Sequence, residues 1–425
     1  MNTHPSRRGF LGMSMLFVAG TAVACSTDPQ GGSGSAGGKA KVTLTQWYHQ
    51  YGEAGTQDAA KRYAAEYTKE NPDIAVQVVW AADTSQYEAK LNAAMLGDEG
   101  PDIFEIGDFR YDMVKKGQLA PLDDIYGDAK SDFNPADIEY VTVDGKLYGV
   151  KMIDDVMTLY YRKSVLEKAG IEPPQTFDAL ATAAKSLTTK DMKGLFVGND
   201  GLGDAPYLLL WSNGGELIEG DKVTYASAAG AEAIGGLRRL HQDKSLLLGF
   251  TTDWYDPGAI SQNAAAMQWC GLWALPGIEK ALGDDFGVVP WPAFKAGGRP
   301  VARLGGWTEL VNAKSKQLDE AKKFVQWLWI KKAALQTDWA VKYGFHVPPR
   351  RSVAADTEAL ASGPAKDAVT ISQQYSKTFP ITWSQSMGVD LVAATTKVVR
   401  ENADPAKALG DAADKSQAAL NKSLG

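Results

Sequence analysis

Residues 100–110 read Gly-Pro-Asp-Ile-Phe-Glu-Ile-Gly-Asp-Phe-Arg. The chain breaks at Gly100-Pro101. Ile103, Phe104 and Ile106 then make a short apolar run with the length and β-branched content of a buried strand. The strand runs out into charge: Glu105, Asp108 and Arg110 crowd its end, and Gly107 lets the backbone turn. In open α/β sheets, ligands bind in the crevice outside the carboxyl ends of the strands, so this exit reads as one wall of a binding site. Taken alone, the same residues also fit a solvated turn with a local ion pair.

The preceding residues repeat the pattern. Lys41 to Trp47 reads as a strand, and it runs into Tyr48-His49-Gln50-Tyr51-Gly52-Glu53, a second polar and aromatic cluster at a strand exit. Ala59 to Asn71 carries Ala60, Tyr63, Ala64 and Tyr67 at helical spacing and stops before Pro72. Ile74 to Trp80 alternates as a strand, and Tyr87 to Met95 is a helix leading into 100–110. This β-α-β-α-β order predicts an α/β protein with a parallel sheet covered by helices. Further on, strands are expected at Lys146–Val150, Met157–Tyr161, Ala264–Trp269, Phe286–Pro290 and Glu309–Asn312. Helices are expected at Phe177–Leu187, Gly230–His241 and Leu318–Ile330, with two more closing the chain from Asp390 and Ala406.

The first residues concern location. Ser6-Arg7-Arg8-Gly9-Phe10-Leu11 precedes an apolar run through Ala24, too short to span a membrane comfortably but of the form of an export signal. The paired arginines resemble a twin-arginine signal. Ala22-Val23-Ala24-Cys25 resembles a lipobox, in which Cys25 becomes the lipid-bearing first residue. Residues 26–39 are rich in Gly and Ser and predict a flexible tether of roughly 20 Å root-mean-square span. The expectation is a protein exported and lipid-anchored to the outer face of the cytoplasmic membrane.

Composition narrows the chemistry. With 425 residues and 44% hydrophobic content the chain can bury a large core or two lobes. A net charge of −7 without a basic block argues against nucleic acid as a partner. Only Cys270 remains after Cys25, so no disulfide framework forms within the mature chain. His4, His49, His241 and His346 are scattered and make no zinc motif, and no P-loop occurs, so no metal and no cofactor are expected.

The order of features resembles a family: the extracellular solute-binding lipoproteins of carbohydrate ABC importers, the maltose-binding-protein-like class. The similarity is carried by Gly100-Pro101-Asp102-Ile103, Asp144-Gly145-Lys146-Leu147-Tyr148-Gly149-Val150 and Tyr160-Tyr161-Arg162-Lys163-Ser164-Val165-Leu166. Ala266-Met267 with Gly271-Leu272-Trp273, and Gly305-Gly306-Trp307, complete it. One departure stands out. Lys151-Met152 occupies the place where the family usually has Pro and an aromatic residue, which adds a cation near the hinge.

The resemblance implies a two-lobe periplasmic-binding-protein-like fold with a hinge and an interlobe cleft. The first lobe is expected at 40–153 plus 307–349 and the second at 154–306 plus 350–425. It implies a monomer that is not an enzyme. Such a protein binds an oligosaccharide outside the cell and hands it to ABC permease subunits in the membrane. Sugars need flat rings against their C–H faces and charged or amide groups on their hydroxyls. The resemblance places Asp108 and Arg110 at the family's hydroxyl-binding pair, Asp155 at an acid beyond the first crossing, and Trp273 at its stacking ring. Trp47, His49, Glu105, Tyr207, Tyr255, Trp269, Gly306, Trp307 and Trp383 complete the candidates. Trp327, Trp329 and Trp339 lie on a helical segment and read as packing. Two alternatives stay open. One is another polar solute such as a glycerophosphodiester. The other is a secreted glycoside hydrolase, which needs two carboxylates about 5 to 10 Å apart, with Asp108 and Asp155 as the available pair.

Overall fold

The computed structural model describes residues 40–51, 55–97 and 99–425. The export signal, Cys25, the tether and Glu53 lie outside the described residues. One nine-stranded sheet organises the chain. Its order is Ile74–Asp83, Val42–Gln50, Ile103–Ile106, Ala302–Val311, Val150–Tyr161, Ala265–Gly271 and Lys193–Phe196. Gly287–Val289 also pairs with Val150–Tyr161, and Ser376–Lys377 with Ala302–Val311. The first three strands run parallel, as the alternation of strands and helices predicts. The helix Thr56–Glu70 buries Ala59, Ala60, Tyr63, Ala64 and Tyr67, one face at helical spacing.

Lys146–Val150 and Met157–Tyr161 were expected as separate strands, but Val150–Tyr161 is one continuous strand of 12 residues. Likewise Ala302–Val311 runs unbroken through the double glycine. Eleven of the twelve residues of Val150–Tyr161 are buried, so Lys151, Asp154 and Asp155 are covered by neighbours, and their polarity does not mark a chain break.

These two long strands carry the chain between separate cores. One core gathers Leu44, Tyr63, Ile103, Phe104, Val150, Met152, Leu310 and Phe324. A second gathers Leu159, Leu180, Leu195, Leu208, Trp269 and Leu391. A third lies on the opposite face of the same strands. Val156 and Tyr160 enter it while Met157 and Leu159 enter the second, the two-residue alternation of a strand with both faces covered.

Between the cores, Ala302–Val311 and Val150–Tyr161 pair antiparallel through Gly306↔Asp154 and Gly305↔Asp155, with an irregularity between Trp307 and Thr308. Gly306 has φ +113°, and a Cβ there would sit 2.1 Å from the Ile153 carbonyl oxygen. Only glycine fits this crossing. A third segment joins them: Asp154 and Val347 exchange backbone hydrogen bonds at 2.8 and 3.0 Å. Arg350 and Ser352 then bond Asp132, so the chain still touches the first core beyond residue 349. The helix at Leu318 becomes a π-helical turn over Gln326–Lys331, where Trp327, Trp329 and Ile330 are all buried.

Candidate functional site

The strand Ile103–Ile106 ends against Trp307, and the first wall of the cleft is built there. Trp307 stacks on His49 with ring centroids 3.8 Å apart and planes 13° from parallel. Behind His49 stands Glu105, which is wholly buried. One Glu105 oxygen meets His49 Nδ1 at 2.5 Å and the His49 backbone N–H at 2.9 Å, and the other accepts from Tyr51 at 2.8 Å. Tyr87 donates to the Glu105 carbonyl at 3.0 Å. Glu105 and His49, candidates for facing ligand, are instead a satisfied buried network backing the half-buried Trp307. The alternation of a strand with both faces buried explains this, because Ile103–Ile106 has no solvated side. Trp47 lies in the same strand as His49, half-buried, and its carbonyl accepts from Tyr87 at 3.2 Å.

Asp108 projects from the turn after this strand with its side chain 54% exposed. Arg110, expected to hold hydroxyls, is taken by Asp112 at 2.8 and 3.0 Å and by Asn92 at 3.2 Å. Although burial opposes it, Arg110 and Lys116 bring the Asp112 carboxyl down to about 2. Glu88 lies near Asp108 and Arg110; burial first and then Asp108 push its carboxyl up.

Across the cleft the organising residue is one the sequence reading missed. Arg303 bonds Asp204 at 2.8 Å, lies over the Phe379 ring at 4.5 Å, and points Nη2 at Asp108 Oδ1 3.6 Å away. Burial opposes its charge, and Asp204 and Asp108 sustain it. Trp269, expected as a ligand ring, is fully buried and crosses Trp291 edge-on; its Nε1 donates to Asp204 at 3.2 Å. It supports the carboxylate that supports Arg303. Tyr207 is nearly buried against Phe379 and meets the edge of the half-buried Trp383 at 6.3 Å.

Further out, Trp273 is half-buried over Gly271. Its Nε1 donates to the Tyr255 carbonyl at 2.8 Å, and its ring meets Trp254 edge-on at 6.0 Å. Tyr255 itself is 58% exposed. Asp155 does not face the cleft: it is buried and bonded to His346 Nδ1. The Asp108–Asp155 pair expected for a glycoside hydrolase is therefore not assembled. Under the crossing, Lys151 donates to the Gly305 carbonyl at 2.8 Å, with Asp154 at 3.6 Å and the Tyr140 ring at 5.3 Å. Burial, with Asp137 beside it, pushes the Asp154 carboxyl well up. Lys151 is thus spent inside the hinge. Among the described residues, no group of three His, Cys, Asp or Glu side chains stands as a metal site.

The signal that finds Arg303 is present in the chain. It lies on a crossing strand three residues before Gly306, and a charged residue on a strand with little room for solvent needs a purpose or a partner. Asp204 and Phe379 carry no such signal, because only tertiary folding brings them to Arg303.

The family model described as bacterial extracellular solute-binding protein matches residues 53–329. An arabinooligosaccharide-binding protein of Bacillus subtilis is 26% identical over 280 residues, 61% of this chain and 63% of that protein, so the chain spans less than two thirds of its length. Diacetylchitobiose binding protein DasA of Streptomyces coelicolor is 28% identical over 335 residues, 74% of this chain and 76% of that one. Among solved structures, the GacH receptor of Streptomyces glaucescens, studied unliganded and with acarbose, superposes with a TM-score of 0.75 at 25% identity, covering 90% of this chain and 99% of its own. Maltose-bound MalE3 of T. maritima superposes with a TM-score of 0.75 at 22% identity over 88% of this chain and 99% of its own, a likeness of fold.

Proposed function

The chain belongs to the bacterial extracellular solute-binding proteins, and from that premise we propose that it captures a neutral oligosaccharide between two lobes and presents it to an ABC permease. The observation that carries the reading is the pairing of Asp108 with Arg303 across the cleft, with the half-buried ring of Trp307 against Gly107 on the Asp108 side. A ring face and a carboxylate beside a guanidinium are what a hydroxylated, apolar-faced solute requires. The oligosaccharides named for the relatives favour the same class. An anionic phosphodiester is disfavoured, because Arg110 already faces Asp112, and Arg303 faces two carboxylates.

The lobes are 40–153 with 307–349 and 154–306 with 350–425, except that 350–352 stay on the first lobe through Asp132. Closure around the ligand is favoured because only the closed form contacts it from both sides. The protein acts as a binding protein and not as an enzyme: Asp155 is buried on His346, away from Asp108, and Asp204, the other carboxylate near Asp108, is already held by Arg303 and Trp269. It is a monomer, exported and anchored through Cys25. Trp273, Trp307 and Trp383 supply ring faces, and Asp108 binds hydroxyls.

The deciding experiment is mass spectrometry of the solute retained after gentle purification, followed by titration of that solute. A retained oligosaccharide that binds at micromolar concentration supports the reading, corresponding to about 8 kcal/mol. A retained phosphodiester, or cleavage of the sugar on incubation, overturns it. For the anchor, Cys25→Ala is expected to release the protein from membranes or leave the precursor unprocessed; unchanged mass and partition refute the lipidation.

A further inference from the structure

Arg303 has an unusual combination of fixity and spare bonding capacity. Its guanidinium is clamped by Asp204 at 2.8 Å and by the face of Phe379 at 4.5 Å, and Trp269 holds the far oxygen of Asp204. A guanidinium has five donors, and the Asp204 bond occupies one nitrogen. Asp108, from the other lobe, stops 3.6 Å away, short of the 2.7–2.9 Å of a formed charge-assisted bond. It accepts no hydrogen bond among the described residues. Two opposite charges in near contact, each with unspent bonding sites and each on a different lobe, leave room for a third group to join them.

We infer that Arg303 is a ligand-contacting specificity residue, and that with Asp108 it forms a two-lobe reader of a vicinal diol. This rests on the neutral-sugar reading above. One sugar hydroxyl accepts from the guanidinium and donates to Asp108, while its neighbour takes the second guanidinium nitrogen. Charge-assisted hydrogen bonds on both sides make this stronger than either lobe alone provides. The same geometry selects against anions, because a phosphate reaching Arg303 meets Asp108 and Asp204. It also sets a length. Arg303 and Trp307 stand four residues apart on one strand, roughly 13 Å at the strand rise, with Gly305 and Gly306 between them. That span suits a ligand of about two sugar rings, with its ring face on Trp307 and its diol at Arg303.

The test is calorimetric titration of the full chain with a neutral panel. The panel holds malto-, chito-, manno- and arabino-oligosaccharides of two to six units, with the zwitterionic glycerophosphocholine as the phosphodiester arm. The wild type is expected to bind at least one sugar series and not glycerophosphocholine. For that sugar, Arg303→Gln and Arg303→Lys are each expected to weaken binding about 10- to 100-fold. Arg303→Lys retains a cation for Asp204, so it keeps the test valid if the glutamine variant folds poorly. Deoxygenation of one vicinal hydroxyl is expected to cost the wild type a similar factor and the Arg303→Lys variant much less. Sugar binding that both Arg303 variants retain unchanged overturns this inference and leaves the sugar reading standing. Binding of glycerophosphocholine alone, or of no panel member, overturns the sugar reading and this inference with it. Deoxy-sugar losses that simply add to the Arg303→Lys loss refute the shared-diol geometry.

Discussion

The two walls of the cleft are built on opposite plans. On the first wall the less buried group is a ring, and the carboxyl is hidden behind it: Trp307 lies flat on His49, which is held by the wholly buried Glu105. On the second the central group is a charge, and the rings are its scaffold: Arg303 rests on Phe379, and Trp269 steadies Asp204. A flat apolar platform gains from a rigid backing, because orienting it costs no side-chain entropy at binding. A guanidinium gains from aromatic faces, which attract it without consuming its donors. Comparable numbers of polar and aromatic side chains thus serve reversed roles, and a sequence cannot state which member of each pair faces out.

The sharpest way to break this comparison is to remove the hidden charge. Glu105→Ala leaves His49 and Tyr51 without their buried acceptor and is expected to cost about 3 to 5 kcal/mol of stability. Urea denaturation measures it. An unchanged midpoint with lost sugar affinity would place Glu105 in the binding surface rather than behind it.

A second buried carboxyl sharpens the contrast by pH. Glu309 accepts from Gln46 at 2.9 Å and from Trp329 at 2.5 Å. Burial outweighs these bonds, and Glu105 adds repulsion, so the carboxyl is pushed up to about 8. In the unfolded chain it ionises near 4.3. The folded protein therefore holds this proton between about pH 4.3 and 8 while the unfolded chain has lost it, so this group's contribution to stability falls as pH rises through that window. Glu309→Gln is expected to gain on the wild type by roughly 1 kcal/mol per pH unit from pH 5 to pH 8. Parallel stability curves for the two proteins across that range would refute the shift.

The rings themselves should rank by their backing. Trp307 has a parallel partner at 3.8 Å, whereas Trp273 has an edge contact at 6.0 Å and one hydrogen bond to the Tyr255 carbonyl. Each replacement by Ala is expected to cost about 1 to 3 kcal/mol of sugar binding, with Trp307→Ala at the upper end. Calorimetry with thermal melting separates binding from packing. A large fall in melting temperature with affinity preserved would make either ring structural.

Much of this architecture was legible in the chain. Helix positions such as Phe177–Leu187 followed from periodicity, and the parallel opening followed from the alternation of strand and helix. The crossing at Gly306 was implied by the family resemblance that Gly305-Gly306-Trp307 carries. What escaped was the direction of side chains. Glu105, Asp155 and Trp269 sit at plausible ends of strands, yet each points into a partner distant in sequence: His49, His346 and Asp204. Burial on both faces of a central strand erases the polar-out alternation that would have revealed this. Arg303 escaped for the converse reason. Its isolation among Ala302, Leu304 and Gly305 hid the three distant residues that give it purpose.

The smallest expected effect tests whether the two walls communicate without ligand. Asp108 and Arg303 are the charges that face one another across the cleft, but Asp108 is more than half exposed and the gap is 3.6 Å. Exposed pairs of this kind contribute about 0.2 to 1 kcal/mol, reduced further by salt. Asp108→Asn is therefore expected to shift the ligand-free balance between closed and open lobes by no more than about fivefold toward open. Spin labels on Lys130 and Lys397, both exposed and on different lobes, report the distance between lobes. The wild type is expected to open slightly as sodium chloride is raised, and Asp108→Asn is expected not to respond. Equal salt responses in both proteins would mean that the pair does no work until a ligand bridges it, and the walls would then be coupled by the sugar alone.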